Sequence, residues 1–533
     1  MKIITLIINR DFSLLYYDTK NNYFKYFEAE KYFKIKKYNV IFNSFKLYIR
    51  HKEENNFVDN LNNIVKIFLS LEQISTQKYM LIISKDSVSY TNWSSKILSF
   101  FKSNNINNKF VDIKIDINHQ ICHILPSIII NKLDNAIGVS IDGEGDGFAS
   151  IYNYKNNHLE LLKQIDFSYG YIYLKICEEC LNKINIHKTS PEGTFMAYAT
   201  LSNNYIKEID YFINNYSELN STGYKIDYNN TQFKKDLDNI LNKYDIKDVA
   251  YTLQEQWINH VMKFIEPYKD INNNLVISGG CALNCILNYR LVKSGWFKNI
   301  YWTPVANDSG QSLGALYQYI FNYNKDNPDN SIEYPNIDNY HCTYDGFDLD
   351  YYKNKIYNKT EELDLDRIVD LLADEKIIAL WKGKVEMGPR ALGNRSILAS
   401  PYKIETHDKL NNIKGREQFR PFGIIIPREY LSTYFDIDID APYMNVIGYN
   451  KLDIFKASTH SDNSTRIQTV TEKSDPLLYK LLMKFKEKTG HPILINTSFN
   501  TKGKPIFNWY EEAYQMYLNY LDAIIFNDRM IIK

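Results

Sequence analysis

The sequence predicts an α/β protein with two domains, and three observations lead to this prediction. The chain has 533 residues, more than one hydrophobic core usually holds. Several short apolar runs end in Gly-containing turns that open into a helical pattern, as where residues 275–277 lead into Ser278, Gly279 and Gly280. Residues 322–345 are rich in Asn, Asp, Tyr and Pro and lack periodicity, so we predict domains at 1–335 and 346–533.

The composition argues against several classes of function. Lys plus Arg and Asp plus Glu both number 63, and this balance gives no overall field for a long nucleic acid or a membrane surface. No apolar run is long enough to span a bilayer, and residues 1–9 are too short for a signal peptide. The six cysteines show no repeated pairing, and Cys177 and Cys180 are predicted as core thiols on a helix. We expect a reduced, cytoplasmic protein, and we leave homodimerisation open.

The N-terminal part has the alternation of a β-hairpin. We predict a strand over residues 3–17, a turn over 18–22 and a second strand over 23–27. A helix is predicted over residues 58–71 and a strand over 80–84.

Two histidines follow a helix-capping residue. Asn118 is a good N-cap, and a helix that starts there places His119 and His123 on one face, although Pro126 follows inside it. Two imidazoles on one face are a natural metal-ligand pair. The alternative is two ordinary histidines at that spacing, and without a third ligand the two readings are equally weighted.

Gly-rich and acidic turns follow predicted strands. Residues 142–147 (DGEGDG) form a turn whose Asp142 and Asp146 could hold a cation or orient a hydroxyl, or simply make a tight turn. Gly279 and Gly280 precede a helix predicted from Cys281 to Lys293, an arrangement suited to phosphate although neither nucleotide-loop spacing is present. Asp308 lies where a strand opens into a helix, a usual place for a ligand-binding carboxylate.

The stretch 383–396 (GKVEMGPRALGNRS) follows a predicted strand at 377–381 and delivers Lys384, Arg390 and Arg395. Glycine permits close backbone approach and guanidinium grips phosphate or carboxylate in a fork, so this stretch predicts an anion site. The alternative is a turn with solvated charges.

The second half supplies more cations at the ends of short apolar runs. Arg416, Arg420 and Arg466 are joined by Asn496 and Ser498 after a predicted strand at 492–495, which itself follows a predicted helix at 476–489. Such a cluster is usually a solvated face, but its position next to Gly, Pro and strand ends favours a phosphate-gripping pocket.

Seven of these runs together resemble the O-carbamoyltransferases of antibiotic and nodulation-factor biosynthesis. The runs, in family order, are SIDGEGDG at 140–147, SGGCALNC at 278–285, DSGQSLGA at 308–315, VEMGPRALGNRS at 385–396, REQFRPF at 416–422, TRIQTV at 465–470 and PILINTSFN at 492–500. GPRALGNRS with NTSFN is highly specific, whereas the shorter Gly-rich runs are weak individually.

The resemblance implies an N-terminal domain of the actin/hexokinase type and a C-terminal domain like the threonylcarbamoyl-adenylate synthases. It implies that carbamoyl phosphate and ATP give carbamoyl adenylate and pyrophosphate in the C-terminal domain. The carbamoyl group then passes to a hydroxyl of a sugar or sugar-containing small molecule in the N-terminal domain. A divalent metal, Fe2+ with Mg2+ as the alternative, helps to hold the nucleotide.

The resemblance also carries over site residues. The metal ligands it implies are His119, His123 and Asp308. The nucleotide-binding residues are Asp142, Gly143, Gly145, Asp146, Gly279, Gly280 and Asn284. From the residue patterns and the resemblance together, we expect carbamoyl phosphate or the adenylate to be bound by Lys384, Arg390, Arg395, Arg416, Arg420, Arg466, Asn496 and Ser498. By motif match, Arg416 or Arg420, Arg466 and Ser498 correspond to the family's positions.

The acceptor side departs from the family pattern. Where the family has a His-Asp-x-Ser-like run, this chain has Arg10 and Asp11, and Arg10 cannot act as a base at neutral pH. We therefore expect Asp11 to be the general base, and we also expect Arg10, which precedes it, to take part in catalysis. Thr194 also stands where the family has Lys. Two alternatives remain open: carbamoylation of a nucleoside or nucleotide hydroxyl, and a nucleotide-binding scaffold that has lost catalysis.

Overall fold

A computed structural model describes residues 2–7, 13–28, 40–43, 46–49, 79–83, 110–114, 117–143, 148–165, 167–186, 191–218, 231–335, 337, 359–508 and 510–533. The described part is an α/β protein, as the sequence predicts. Its strands are β1 (Lys2–Ile7), β2 (Ser13–Asp18), β3 (Tyr23–Glu28), β4 (Val40–Asn43), β5 (Lys46–Ile49), β6 (Tyr79–Ile83), β7 (Phe110–Lys114), β8 (Asn135–Ile141), β9 (Ala149–Lys155), β10 (His158–Ile165), β11 (Asn274–Ser278), β12 (Asn299–Tyr301), β13 (Glu361–Glu362), β14 (Ile378–Trp381), β15 (Arg395–Ala399), β16 (Gly423–Pro427), β17 (Val446–Tyr449), β18 (Ser464–Val470), β19 (Leu494–Ser498), β20 (Ala523–Phe526) and β21 (Arg529–Ile532). Its α-helices are His119–Ile130, Tyr169–Lys183, Glu192–Ala199, Phe212–Glu218, Thr231–Lys243, Ile246–Ile265, Cys285–Ser294, Gln311–Asp326, Leu365–Ala373, Ile404–Lys414, Leu431–Tyr434, Pro476–Thr489 and Tyr510–Tyr520.

Two five-stranded sheets repeat one topology. Their orders are β3-β2-β1-β6-β7 and β10-β9-β8-β11-β12. In each sheet three antiparallel strands are followed by two strands parallel to the first, which sits at the centre. This duplicated arrangement is the actin/hexokinase type of fold that the resemblance implies.

The described strands after residue 360 form one nine-stranded sheet, β13-β21-β20-β14-β15-β19-β16-β18-β17. None of these strands joins the first two sheets. Because residues 338–358 lie outside the described part, the boundary at 335–346 stays a prediction.

The N-terminal hairpin differs from the prediction. The single strand expected over residues 3–17 is wrong, because Lys2–Ile7 and Ser13–Asp18 are two strands paired antiparallel, with Ile7 opposite Ser13. Apolar residues alternate in both strands, so the period does not mark where one ends. The turn at 18–22, the strand at 80–84, the helix at 476–489 and the helical core position of Cys177 and Cys180 are confirmed. The helix predicted at 58–71 lies outside the described residues.

The two halves share a hydrophobic core. Tyr443, Met444 and Ile447 of the C-terminal half pack in one cluster with Leu287 and Leu291 of the N-terminal half. Within this interface the Nδ2 atom of Asn288 donates a hydrogen bond of 2.6 Å to the carbonyl oxygen of Asn445. Residues on either side of this interface are therefore held in a fixed relation.

Candidate functional site

The dihistidine helix, His119–Ile130, forms as predicted. The Oδ1 atom of Asn118 accepts a hydrogen bond from the backbone N–H of Ile121 at 2.9 Å and caps it. The helix continues through Pro126. One turn separates the two imidazoles, whose Nε2 atoms are 3.1 Å apart. Both side chains are buried.

Two aspartates close a four-residue cluster around these imidazoles. The Oδ2 atom of Asp142, at the end of β8, lies 3.3 Å from His119 Nε2 and 2.7 Å from His123 Nε2. The Oδ1 atom of Asp308 lies 3.6 Å from the first and 3.5 Å from the second. The four ligand atoms all lie within 4.8 Å of one another. We call these residues the metal cluster.

The electrostatics of the metal cluster favour a bound cation. Burial alone would raise the pKa of Asp142, but hydrogen bonds from His119 and His123 outweigh it and hold the pKa well below its usual range. Burial alone would lower the pKa of His123, but hydrogen bonds with Asp142 and Asp308 raise it instead. Two carboxylates and two imidazoles on a shared centre are a donor set that first-row transition metals prefer, whereas Mg2+ prefers oxygen alone. The residues present therefore fit a divalent ion of the iron type.

Glycines bring backbone amides up to Asp142. The N–H groups of Gly143 and Gly280 point to Asp142 Oδ1 at 2.7 and 3.4 Å. Gly279 has φ of +89°, and a Cβ there would lie 2.2 Å from the carbonyl oxygen of Ile141, so only glycine fits. The structure thus brings Asp142, Gly143, Gly279 and Gly280 together as predicted, while Gly145 and Asp146 lie outside the described residues.

Asn284 has a structural task next to this cradle. Its Oδ1 accepts hydrogen bonds from the N–H groups of Ile286 and Leu287. The helix therefore begins at Cys285, and the predicted start at Cys281 is wrong because Gly280–Leu283 form a 3-10 turn first. The predicted stop at Gly295 is confirmed, with φ of +66°.

Four arginines meet in what we call the arginine pocket: Arg390, Arg416, Arg420 and Arg466. The first lies between β14 and β15, the next two follow the helix Ile404–Lys414, and the last lies on β18. Their charges act on one another: burial, and then Arg466, lower the pKa of Arg390 to about 9. Burial, and then Arg420 and Arg466, lower the pKa of Arg416 well below its usual value.

The protein supplies little negative charge to this pocket. Within the described residues, the one ion pair that the four arginines make is between Arg420 Nη1 and Glu417 Oε2, at 3.9 Å. Neighbouring guanidinium groups without paired carboxylates are costly unless an anion joins them. The arrangement is therefore that of an anion-binding site.

The pocket faces the N-terminal half. A Cβ at Gly193 would lie 3.8 Å from Arg420 Nη2, and the ring of Tyr198 packs edge-on against Phe419 at 5.5 Å. Arg466 and Arg390 also act on the Cys285 thiol, although its burial outweighs them and raises the pKa. Gly280 contacts Asp142 of the metal cluster, and Cys285 lies near Arg466 and Arg390 of the arginine pocket. The chain from Gly280 to Cys285 spans at most roughly 18 Å. The pocket and the metal cluster therefore border the two ends of one short segment.

Glu386 shapes the loop that carries Arg390. Its Oε1 atom accepts hydrogen bonds from the N–H groups of Leu392, Asn394 and Arg395, at 2.9, 2.6 and 2.9 Å. The N–H of Gly388 donates to Glu28 of the N-terminal half at 2.7 Å. These bonds fix a Gly-rich loop that would otherwise be mobile.

Arg395 and Lys384 are placed differently from the arginine pocket. The Arg395 guanidinium lies 4.1 Å from the centroid of the Trp381 ring and donates to the carbonyl oxygens of Lys382 and Gly383. Lys384 is exposed, and its carbonyl oxygen accepts a bond from Asn394. Both residues thus help to build the loop.

Asn496 and Ser498 lie on β19, beside the loop. Asn496 donates to Gln468 Oε1 at 2.6 Å and to the Ala391 carbonyl oxygen at 3.3 Å. Ser498 Oγ accepts from Lys414 Nζ at 3.1 Å and donates to Asn500 at 2.8 Å. Lys414 is buried; it is one of the three cations of residues 414–420 in the sequence, but it was not among the predicted site residues.

His460 is another residue that was not among the predicted site residues. Burial, followed by the charges of Arg466 and Arg416, lowers its pKa to about 3, so the imidazole is neutral at neutral pH. Arg10 and Asp11 lie outside the described residues. Thr194 is fully buried on the helix Glu192–Ala199.

In the described residues, fold and site together define a two-part α/β protein with a cluster of residues suited to a metal ion and a group of arginines suited to an anion. Comparison with known proteins gives the family. Residues 39–317 match the sequence family described as carbamoyltransferase N-terminus, and residues 369–533 match carbamoyltransferase C-terminus. The chain belongs to the carbamoyltransferase family and is a transferase, as the resemblance indicated.

Individual relatives agree with this assignment. An uncharacterised protein of Methanocaldococcus jannaschii is 29% identical over 81% of this chain and 84% of its own length. The nodulation protein NolO of Bradyrhizobium diazoefficiens is 26% identical over 78% of this chain and 79% of its own. A 3'-hydroxymethylcephem-O-carbamoyltransferase of Amycolatopsis lactamdurans is 34% identical, but over 44% of each chain. The match to an uncharacterised Synechocystis protein likewise spans about half of that relative, 48%.

Solved structures align more weakly. MreB 5 of Spiroplasma citri aligns over 62% of this chain and 98% of its own at 9% identity, with a TM-score of 0.33. That score adds nothing to the family assignment. None of the helices in the described residues is both long and apolar enough to cross a membrane.

Proposed function

We propose that the protein is an ATP-dependent O-carbamoyltransferase that forms carbamoyl adenylate from carbamoyl phosphate and ATP. It then passes the carbamoyl group to a hydroxyl of a sugar or sugar-containing metabolite. The observation that carries this proposal is the arginine pocket, whose four guanidinium groups make one ion pair with a carboxylate within the described residues. Carbamoyl phosphate and the phosphates of ATP are anions that such groups bind in bidentate fashion.

The activation step must balance its atoms. One water enters, the carbamoyl–phosphate bond breaks and orthophosphate leaves. The resulting carbamate oxygen attacks the α-phosphorus of ATP, and pyrophosphate leaves as carbamoyl adenylate forms. Arg390, Arg416, Arg420 and Arg466 position both anions and neutralise the charge that gathers on the departing phosphates.

The transfer step forms a bond between the acceptor oxygen and the carbamoyl carbon and releases AMP. The acceptor hydroxyl must lose a proton, so a general base is needed close to it. Asp11 is our candidate for that base, and Arg10 beside it would hold an anionic group rather than accept a proton. Both roles are predictions, because both residues lie outside the described part of the chain.

The metal cluster belongs to this second step. His119, His123, Asp142 and Asp308 would hold a divalent ion, with Fe2+ favoured over Mg2+ because two ligands are imidazoles. When bound, such an ion supplies positive charge that holds the nucleotide phosphates. Around it, the amides of Gly143 and Gly280 keep Asp142 oriented, and Gly279 keeps the turn close to β8.

The acceptor class rests on the family. Among the relatives, the cephem enzyme is named for a hydroxymethyl acceptor, so a hydroxyl acceptor is the class we propose here.

The test is pyrophosphate release from ATP by purified protein. Release that depends on carbamoyl phosphate and needs no acceptor supports the proposal. No release under these conditions would favour a nucleotide-binding scaffold. An acceptor screen by mass spectrometry, seeking an added carbamoyl group on sugars and on nucleosides, then decides between the two acceptor classes.

A further inference from the structure

The arginine pocket leaves one recognition problem unsolved. Guanidinium groups only donate hydrogen bonds, so they bind the phosphate and carbonyl oxygens of an acyl phosphate equally well whatever the acyl group is. A carbamoyl group differs from an acetyl group of nearly the same shape by an NH2 that donates two hydrogen bonds. A pocket that selects carbamoyl phosphate therefore needs an acceptor among its donors.

The turn that precedes Arg466 brings such an acceptor to the pocket. The N–H of His460 donates to the Ser464 carbonyl oxygen at 2.8 Å, and the His460 carbonyl accepts from Asn463 at 3.0 Å. This tight turn leads directly into β18, which carries Arg466 two residues later than Ser464. Next to His460, Ser461 donates to the Thr200 carbonyl oxygen of the N-terminal half at 2.7 Å. The backbone that carries the imidazole is thus fixed where the two halves meet.

The ring itself has an unused position. Within the described residues, the His460 Nδ1 atom is buried and has no hydrogen-bond partner. A buried nitrogen of this kind destabilises the protein unless a ligand or water satisfies it. Burial, and after it the charges of Arg466 and Arg416, disfavour protonation of the ring, so the pKa of His460 stays low and the ring keeps a lone pair at neutral pH.

Two other side chains near the pocket already have partners for their oxygens, whereas Asn496 Oδ1 on β19, like His460 Nδ1, has none within the described residues. Ser498 Oγ accepts from Lys414 and donates to Asn500, and Glu417 is the carboxylate that faces Arg420. Of these two acceptors, the His460 ring is the one whose turn leads into the strand of Arg466 and on which the charges of Arg466 and Arg416 act.

We propose that His460 accepts a hydrogen bond from the NH2 group of the carbamoyl donor and so makes the arginine pocket selective for carbamoyl phosphate over acetyl phosphate. This inference rests on the proposed function, since it names a specificity-determining residue of the same pocket. His460 takes no proton in this role.

The test compares the binding of three anions to the full-length protein in the absence of ATP. Calorimetric titrations with carbamoyl phosphate, acetyl phosphate and orthophosphate give the dissociation constants for the wild type, His460→Phe and His460→Asn. Asparagine keeps an acceptor oxygen on Cγ, the same bond count from the backbone as Nδ1, and phenylalanine removes it. His158→Phe, the same substitution at an exposed position on β10, is the matched control and should bind all three anions as the wild type does.

We expect the wild type to bind carbamoyl phosphate about threefold to tenfold more tightly than acetyl phosphate, the effect of one neutral hydrogen bond. His460→Phe should lose this preference while binding acetyl phosphate and orthophosphate as before, and His460→Asn should keep it.

The proposal is overturned if the wild type shows no preference, or if His460→Phe weakens all three anions alike. If the wild type and both variants show the expected preferences between carbamoyl phosphate and acetyl phosphate but the protein releases no pyrophosphate from ATP, the proposed function is wrong. The role of His460 in selecting the anion then stands.

Discussion

The metal cluster and the arginine pocket solve the problem of buried charge in opposite ways. In the metal cluster, two carboxylates and two imidazoles already contact one another at 2.7–3.6 Å. In the arginine pocket, four like charges from three segments make a single ion pair, at 3.9 Å, with the part of the chain that the structure describes. The first site is assembled before its ligand arrives. The second is held by the surrounding fold against repulsion and gains its balance from the ligand.

The difference teaches which bonds position each site. The metal cluster is held by its own members and by the amides around Asp142. The arginine pocket is held from outside, by Glu386 in its loop and by contacts with the N-terminal half. Substitutions should therefore affect the two sites separately.

The largest effect is expected from Arg466→Ala. Removing one of the guanidinium groups that stabilise departing phosphate should lower carbamoyl-phosphate-dependent pyrophosphate release about 100-fold or more. Arg428→Ala is the matched control, because Arg428 lies in the same half and forms an ordinary ion pair with Asp438 at 2.6 Å. Equal activity of the two variants would show that the pocket is misassigned.

Asp142→Asn and His119→Ala test the other site. Each substitution removes a metal ligand or its charge. The affinity for iron should therefore fall by at least the roughly 10- to 100-fold that is lost when a hydrogen-bond partner of a metal ligand is mutated. Elemental analysis should then find less bound iron than in the wild type. His158→Ala, at an exposed position, should retain full occupancy. Unchanged iron in Asp142→Asn would remove Asp142 from the ligand set and leave the three residues that the resemblance implied.

Gly279→Ala tests the cradle beneath Asp142. The new methyl group would lie 2.2 Å from the Ile141 carbonyl oxygen at a φ of +89°, which should destabilise the N-terminal half by about 2 kcal/mol or more. Gly143→Ala is the control, since a Cβ there meets nothing within 4 Å. Thermal melts of the pair should differ by several degrees, and identical melting would mean that the turn relaxes freely.

The smallest effect concerns ligand-free stability. Burial, followed by repulsion from Arg466 and Arg420, lowers the pKa of Arg390 in the wild type. Arg390→Gln removes the buried charge and relieves this repulsion. We expect the ligand-free protein to melt about one to three degrees higher. Pyrophosphate should raise the melting temperature of the wild type more than that of the variant, because a ligand that binds only the folded state stabilises it. If the variant melts at a lower temperature than the wild type and pyrophosphate stabilises both equally, the claim that Arg390 carries uncompensated charge in the ligand-free protein is wrong.

The sequence was most informative where a site residue and its neighbour are close along the chain. The cap at Asn118 and the spacing of His119 and His123 predicted one face of the metal cluster, and the strand end before Asp308 predicted another. Asp142 was assigned to the nucleotide instead, because its contact with His123 depends on how β8 lies against the helix, and no local pattern records that.

Register limited the prediction for the second site. Arg395 is opposite Trp381 in the pairing of β14 with β15, so its guanidinium stacks on that ring, which a list of cations cannot reveal. His460 gave no signal, since its environment comes from burial and from the charges of Arg466 and of Arg416, the latter on a distant segment of the chain. The division of residues 3–17 into two strands was missed for the same reason: pairing, unlike alternation, is not local.

The most direct test of the account is to trap the activated intermediate in quenched reactions of ATP with isotopically labelled carbamoyl phosphate, without an acceptor. Mass spectrometry should find labelled carbamoyl adenylate with the wild type and with protein stripped of metal, but not with Arg466→Ala. Absence of the adenylate from the wild type, or its undiminished formation by Arg466→Ala, would contradict the claim that the arginine pocket builds it.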